Sequence, residues 1–354
     1  MLSISALVRL LFDKKASELY LTQNAPPALR VDGKLTFMEE EKLTATDCET
    51  LIYTVITDLQ QKELEKKKEL IVSFGLEKVG RVRMHIFSQK GTWAASLRAI
   101  PEEIADFNTL GLPVNIEEIV RFKKGLFLIT GPTGAGKTTT LAAIIDWFNK
   151  NRSWHIVTLE SILEHIHINE KSIINQREID TDVKLQPCHW DENLLSNPDV
   201  LVIDSIKTGE QIKVALNIAE AGHLVLAVMD TYDSLHTLNR IIDYFSLEQR
   251  PNIRKQLANT LQVILSQQLL PRGYSSGRVL ACEILMINLA IRNFISQEKF
   301  PEIYSLMQKD NEYGMQTMNQ SLAELYQQQI VTHNEIMDRT SDTQELTKLI
   351  KGEN

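Results

Sequence analysis

The sequence predicts an α/β protein in two domains: a small α+β unit, then a sheet wound with helices, closed by a helical C-terminal region. Three observations predict it. Across residues 1–100, short apolar alternations such as Ala28-Leu29-Arg30-Val31 and Arg81-Val82-Arg83-Met84-His85-Ile86-Phe87 are interleaved with helical stretches. Across residues 115–285, continuous apolar runs follow the order strand, loop, helix, strand, which is the pattern of a sheet covered by helices. Across residues 286–354 the periodicity is helical.

Taken in order, the apolar opening Met1 to Phe12 runs directly into Asp13-Lys14-Lys15, with neither a leading basic region nor a small-residue cleavage site. It reads as an amphipathic first helix and not as a signal peptide. Asp32-Gly33 is a hairpin turn signal. Residues 44–68 read as a helix or helix pair, with Thr44 or Thr46 as N-cap and a solvated charged end from Lys62 to Lys68. Pro101 and then Gly111-Leu112-Pro113 mark a shift in composition and place a linker at 101–114. The buried strands beyond it are Leu126–Ile129, His155–Leu159, Val200–Ile203 and His223–Val228. From Gly314 to Gln329, the spacing of Met315, Met318, Leu322 and Leu325 predicts one amphipathic helix whose methionines are core residues.

Composition excludes some functions. The 354 residues carry a formal charge of -8, which leaves no basic field to hold a polyanion, so direct nucleic-acid binding is not expected. No run approaches the roughly 18 uninterrupted apolar residues of a membrane span. Cys48, Cys188 and Cys282 are far apart, odd in number and without CxxC spacing, which argues for a reducing compartment and against structural zinc.

The strongest local signal is Gly131-Pro132-Thr133-Gly134-Ala135-Gly136-Lys137-Thr138, a full match to GxxxxGK[ST], continued by Thr139. It stands between an apolar strand and a helix-forming run. In that context the backbone N–H groups and the helix N-terminus bind phosphate oxygens, Lys137 reaches the β- and γ-phosphates, and Thr138 holds Mg²⁺. The expected ligands are therefore ATP and Mg²⁺.

With these residues in view, the chain resembles the PilT/PilU family of type IV pilus retraction ATPases along nearly its whole length. The likeness rests on Ala16-Ser17-Glu18-Leu19-Tyr20-Leu21, Arg30 to Leu35, Gly80-Arg81-Val82-Arg83, Leu97 to Pro101, Asn175-Gln176-Arg177-Glu178, Gln267 to Arg272 and Ala290-Ile291-Arg292-Asn293-Phe294-Ile295. The resemblance implies a PAS-like N-terminal α+β domain and a RecA-like P-loop ATPase domain. It implies nucleotide-contacting roles for Arg177 and Arg240, a homo-hexamer or a ring shared with a PilT-like paralogue, and a platform protein of the inner membrane as partner. The expected location is cytoplasmic, docked peripherally on that machinery.

The chain departs from the family around the γ-phosphate. Where the family reads IEDPIE, this chain reads Leu159-Glu160-Ser161-Ile162-Leu163-Glu164. Glu164 remains as the water-orienting carboxylate that the resemblance implies. Ser205 replaces the Walker B glutamate, with Asp204 beside it as a candidate Mg²⁺ ligand that strand alternation would aim to the other side. Asp230 replaces a histidine expected to sense the γ-phosphate, and an acid there would repel phosphate unless Mg²⁺ or an arginine intervenes. His189 to Leu195 replaces an arginine-bearing run. The expectation is a retraction motor that binds ATP and hydrolyses it weakly or as accessory to an active paralogue; the alternative is a nucleotide-responsive structural subunit without hydrolysis.

Overall fold

The computed structural model describes residues 3–31, 34–100, 103–113, 116–179, 181–183, 197–309 and 314–352. The chain divides into two compact units, the first reaching to Glu103 and also holding Ile162–Ile166, the second holding Ile104–Ser161 and the chain from His167 onward.

The first unit runs α1 (Ile4–Asp13), β1 (Glu18–Leu21), β2 (Ala28–Val31), β3 (Lys34–Phe37), α2 (Ala45–Tyr53), α3 (Asp58–Lys67), β4 (Glu69–Leu76), β5 (Gly80–Gln89) and β6 (Thr92–Ile100). Residues 44–68 thus form a helix pair. Thr44 starts it: its hydroxyl accepts from the Asp47 N–H at 3.1 Å while the Asp47 carboxylate accepts from the Thr44 N–H at 2.8 Å, a reciprocal cap. The strands form one antiparallel sheet in the order β3-β2-β1-β6-β5-β4. Period-two alternation in β5 sends Val82, Met84 and Ile86 into a core shared with Leu7 and Leu11 of α1, Ile52 of α2 and Leu64 of α3. Val31 pairs with Lys34 across the predicted hairpin, whose Asp32-Gly33 turn lies outside the described residues.

The second unit runs α4 (Phe107–Leu110), α5 (Ile116–Ile119), β7 (Gly125–Thr130), α6 (Lys137–Asn151), β8 (His155–Glu160), β9 (Ile173–Glu178), β10 (Val200–Ile203), α7 (Gly209–Glu220), β11 (Leu224–Met229), α8 (Ser234–Asp243), α9 (Arg250–Thr260), β12 (Leu261–Pro271), β13 (Arg278–Met286), α10 (Leu289–Ser296), α11 (Phe300–Lys309), α12 (Met318–Gln327), α13 (His333–Met337) and α14 (Thr343–Lys351). Its seven-stranded sheet has the order β13-β12-β7-β11-β10-β8-β9, parallel throughout except for β13 at the edge. Alternate residues cover both faces. Leu126, Leu128, Leu201, Ile203 and Val225 pack with α7 and α8, while Phe127, Ile129, Val200, Val202 and Leu226 pack against Leu141, Ile144 and Phe148 of α6. A parallel sheet buried on both faces is why these strands read as unbroken apolar runs.

The predicted helix from Gly314 to Gln329 is shorter than its periodicity suggests. Thr317 forms a reciprocal cap with Gln320, so α12 starts at Met318. Before the cap, Gln316 bridges Ile284 on β13, and Met315 packs into the core below the sheet. Met318, Leu322 and Leu325 instead join Leu270, Ile336 and Leu346 in a separate C-terminal cluster. Cys48 and Cys282 are buried free thiols, whereas Cys188 and the His189–Leu195 run lie outside the described residues. Among the described residues no helix is long and apolar enough to cross a membrane.

Candidate functional site at the carboxyl ends of the parallel strands

The glycine loop leaves β7 at Thr130, whose hydroxyl donates to Ser266 on β12 at 2.8 Å, and enters α6 at Lys137. Gly131 has φ 148°, and a Cβ there would stand 2.4 Å from the Gln267 carbonyl oxygen, so only glycine lets the loop pass β12. Gly136 is the N-cap of α6 with φ 87° and no side-chain cap, which leaves first-turn N–H groups and the helix dipole for an anion. Pro132, Thr133, Gly134 and Ala135 complete the turn, Thr138 is exposed, and Thr139 is half-buried beside it.

Lys137 is only 9% exposed. Its ammonium donates to the Gly131 carbonyl at 2.7 Å and the Pro132 carbonyl at 2.8 Å, and pairs with Asp230 Oδ1 at 2.9 Å. Sheet register causes this meeting. β11 runs parallel to β7 with Met229 beside Thr130, so the residues that follow these strands emerge side by side. Asp230 therefore does not stand as an uncompensated repulsive charge: the loop lysine neutralises it.

The same strand ends gather two further carboxylates. Asp204 directly follows Ile203, the last residue of β10, and its N–H donates to the Leu159 carbonyl of β8 at 3.1 Å. Its carboxylate accepts from the Ser161 N–H at 2.7 Å and the Ser161 hydroxyl at 3.1 Å, across from the end of β8. Glu160, the last residue of β8, is buried and accepts from Thr158 at 2.6 Å and Gln176 at 3.0 Å. Sequence reasoning passed over Glu160, although an acid ending an apolar strand in an open parallel sheet stands where ligands bind.

The other three predicted residues, Glu164, Arg177 and Arg240, have partners of their own. Glu164 belongs to the segment counted with the first unit, where its carboxylate pairs with Arg83 at 2.8 Å and the preceding Leu163 carbonyl accepts from Ser73 at 2.7 Å and Arg81 at 3.1 Å. Arg177 on β9 donates to the Asp182 carbonyl at 3.1 Å. Arg240 on α8 is exposed and lies over the Tyr244 ring at 4.9 Å.

Behind the Asp230 turn, Glu283 of β13 is fully buried and accepts from the Ser234 N–H, at the start of α8, at 2.7 Å. Burial pushes its carboxyl up to about 7, with the Ser234 N–H opposing and the Asp233 charge adding to the rise.

Strand, glycine loop and helix N-terminus at one end of an open parallel sheet define a P-loop protein of RecA-like fold. The family model described as Type II/IV secretion system protein matches residues 3–273. The type IV pilus retraction ATPase PilT of Pseudomonas aeruginosa is 33% identical over 92% of this chain and 94% of its own length. The type IV pilus ATPase PilU of the same organism is 30% identical over 98% of this chain and 90% of its own. A crystal structure of the pilus retraction motor PilT with bound ADP superposes with a TM-score of 0.90 at 40% identity, covering 98% of this chain and 100% of that one. The Legionella pneumophila ATPase DotB shares the fold, with a TM-score of 0.82 at 22% identity. The chain belongs to the PilT/PilU family of type IV pilus retraction ATPases.

Proposed function

We propose that the chain is a nucleotide-binding motor subunit of type IV pilus retraction that hydrolyses ATP weakly or as accessory to an active paralogue. The observation that carries this reading is the intact loop from Gly131 to Thr139 ahead of an uncapped helix, in a chain 40% identical to a motor crystallised with ADP. It would act in the cytoplasm as a homo-hexamer, or in a ring with a PilT-like paralogue, against a platform protein at the inner membrane.

Mg²⁺ fits the donors present. Thr138 offers a hydroxyl at the solvent edge of the loop, and Asp204 offers a carboxylate at a neighbouring strand end; both are the hard oxygen ligands that the ion takes. Bound there, the ion would neutralise phosphate charge. Ser161 orients Asp204 through both carboxylate oxygens. In this reading Arg177 and Arg240 serve the nucleotide, and Glu164 orients water after release from Arg83.

Ser205 in place of the Walker B glutamate favours a second reading, a structural subunit for which ATP is a conformational ligand only. Losing one oriented group at a reacting centre costs on the order of a hundredfold in rate. Steady-state phosphate release separates the two. Turnover by the wild type that is lost in Lys137→Ala and Glu164→Gln supports the motor, while equal background rates in all three overturn it. Ser205→Glu combined with Asp230→His is expected to raise the rate.

A further inference from the structure

We propose that Asp230 makes the phosphate loop favour a nucleoside diphosphate over the triphosphate. The inference rests on nucleotide binding at the loop and goes beyond it by assigning the preference to one side chain. An ammonium has three N–H donors. All three of those on Lys137 are engaged, two by the neutral carbonyls of Gly131 and Pro132 at 2.7 and 2.8 Å and one by the charged Asp230 at 2.9 Å.

The unequal nature of these acceptors sets the preference. A diphosphate asks Lys137 for a contact to its terminal phosphate, which the ammonium can supply by releasing a carbonyl, with the ion pair kept. A triphosphate asks the same nitrogen to reach the γ-phosphate as well. Three anionic groups, the β- and γ-phosphates and the carboxylate, must then share one cation, or the carboxylate must leave. Like charges held around one buried ammonium repel through a medium less polarisable than water.

The arrangement is held by the sheet and not by chance side-chain contact. Met229 is in register with Thr130, so Asp230 starts beside Gly131 whatever rotamer it takes. The Asp230 side chain is 60% exposed while that of Lys137 is 9% exposed. The carboxylate can therefore swing out and be rehydrated, which makes the effect a bias in affinity, about tenfold, and not a block. The resting site is one in which the counter-charge of the γ-phosphate's own ligand is already supplied by the protein.

The test is calorimetric titration of the full chain with Mg-ADP and with a non-hydrolysable triphosphate analogue, for the wild type, Asp230→Asn and Asp230→Ala. The wild type is expected to bind ADP more tightly than the analogue. Both variants should tighten the analogue about tenfold while changing ADP by less than about threefold. Two results overturn the assignment: a wild type that binds the analogue as tightly as ADP, or variants that shift both ligands alike. If the wild type binds neither nucleotide, the reading of the loop falls together with the inference; if ADP binds and only the ratio ignores Asp230, the reading of the loop stands and the inference falls. The ADP arm also reports that each variant keeps a formed site, and two substitutions of different size separate charge from shape.

Discussion

Replacing Glu283 by glutamine should change how the stability of this protein depends on pH. The carboxyl is fully buried and sits at about 7 in place of 4.5, chiefly because burial disfavours its charge. Below 4.5 the group is protonated in folded and unfolded chains alike and contributes nothing. Between 4.5 and about 7 the unfolded chain gives up the proton while the folded chain keeps it, so the folded state binds more protons and stability falls as pH rises. Above about 7 both states are ionised and the loss levels off. At about 1.4 kcal/mol per pH unit, the whole interval costs the wild type about 3 kcal/mol. Glu283→Gln retains an oxygen to accept the Ser234 N–H but does not titrate. Urea unfolding of both proteins at several pH values from roughly 5 to roughly 8 should show the variant gaining on the wild type by an amount of that order. Parallel stability curves would refute the argument, because they would mean that the group is ionised or solvated in the folded state.

Other substitutions probe the site and its supports. Lys137→Ala should abolish the thermal upshift given by saturating ADP in the wild type, while changing intrinsic stability by less than about 1 kcal/mol, since Asp230 is free to rehydrate; an undiminished upshift would show that nucleotide binds elsewhere. Gly131→Ala places a Cβ 2.4 Å from the Gln267 carbonyl oxygen at φ 148°, so loss of ADP binding together with a lowered melting temperature is expected. Glu164→Gln should cost less than about 1 kcal/mol in stability, because the Arg83 pair is partly exposed, and should act on phosphate release instead. Thr317→Ala removes the reciprocal cap of α12 and should lower the urea-derived stability by about 1 kcal/mol with ADP affinity unchanged.

Much of the fold could be read from local chemistry. The apolar runs at Leu126, His155, Val200 and Leu224 became strands because a sheet buried on both faces tolerates little else. The sequence leaves Thr44 and Thr46 both open as the cap, and the reciprocal bonds with Asp47 select Thr44. Periodicity misjudged the helix after Gly314, because Met315 keeps the helical spacing but faces another core, and the Thr317 cap sets the true start.

What the sequence by itself determined is the phosphate loop. Its glycines, its lysine and the helix that follows are contiguous, so residue type and spacing carry the whole signal. What only the tertiary structure decided is the company those residues keep. Lys137 meets Asp230 through the parallel register of β7 and β11, and Asp204 meets Ser161 across β10 and β8. Glu164 is held by Arg83, a residue far from it in the chain. The physical reason is that a charge takes its meaning from its nearest counter-charge. That distance is set by strand pairing among segments dozens of residues apart, which no local pattern encodes.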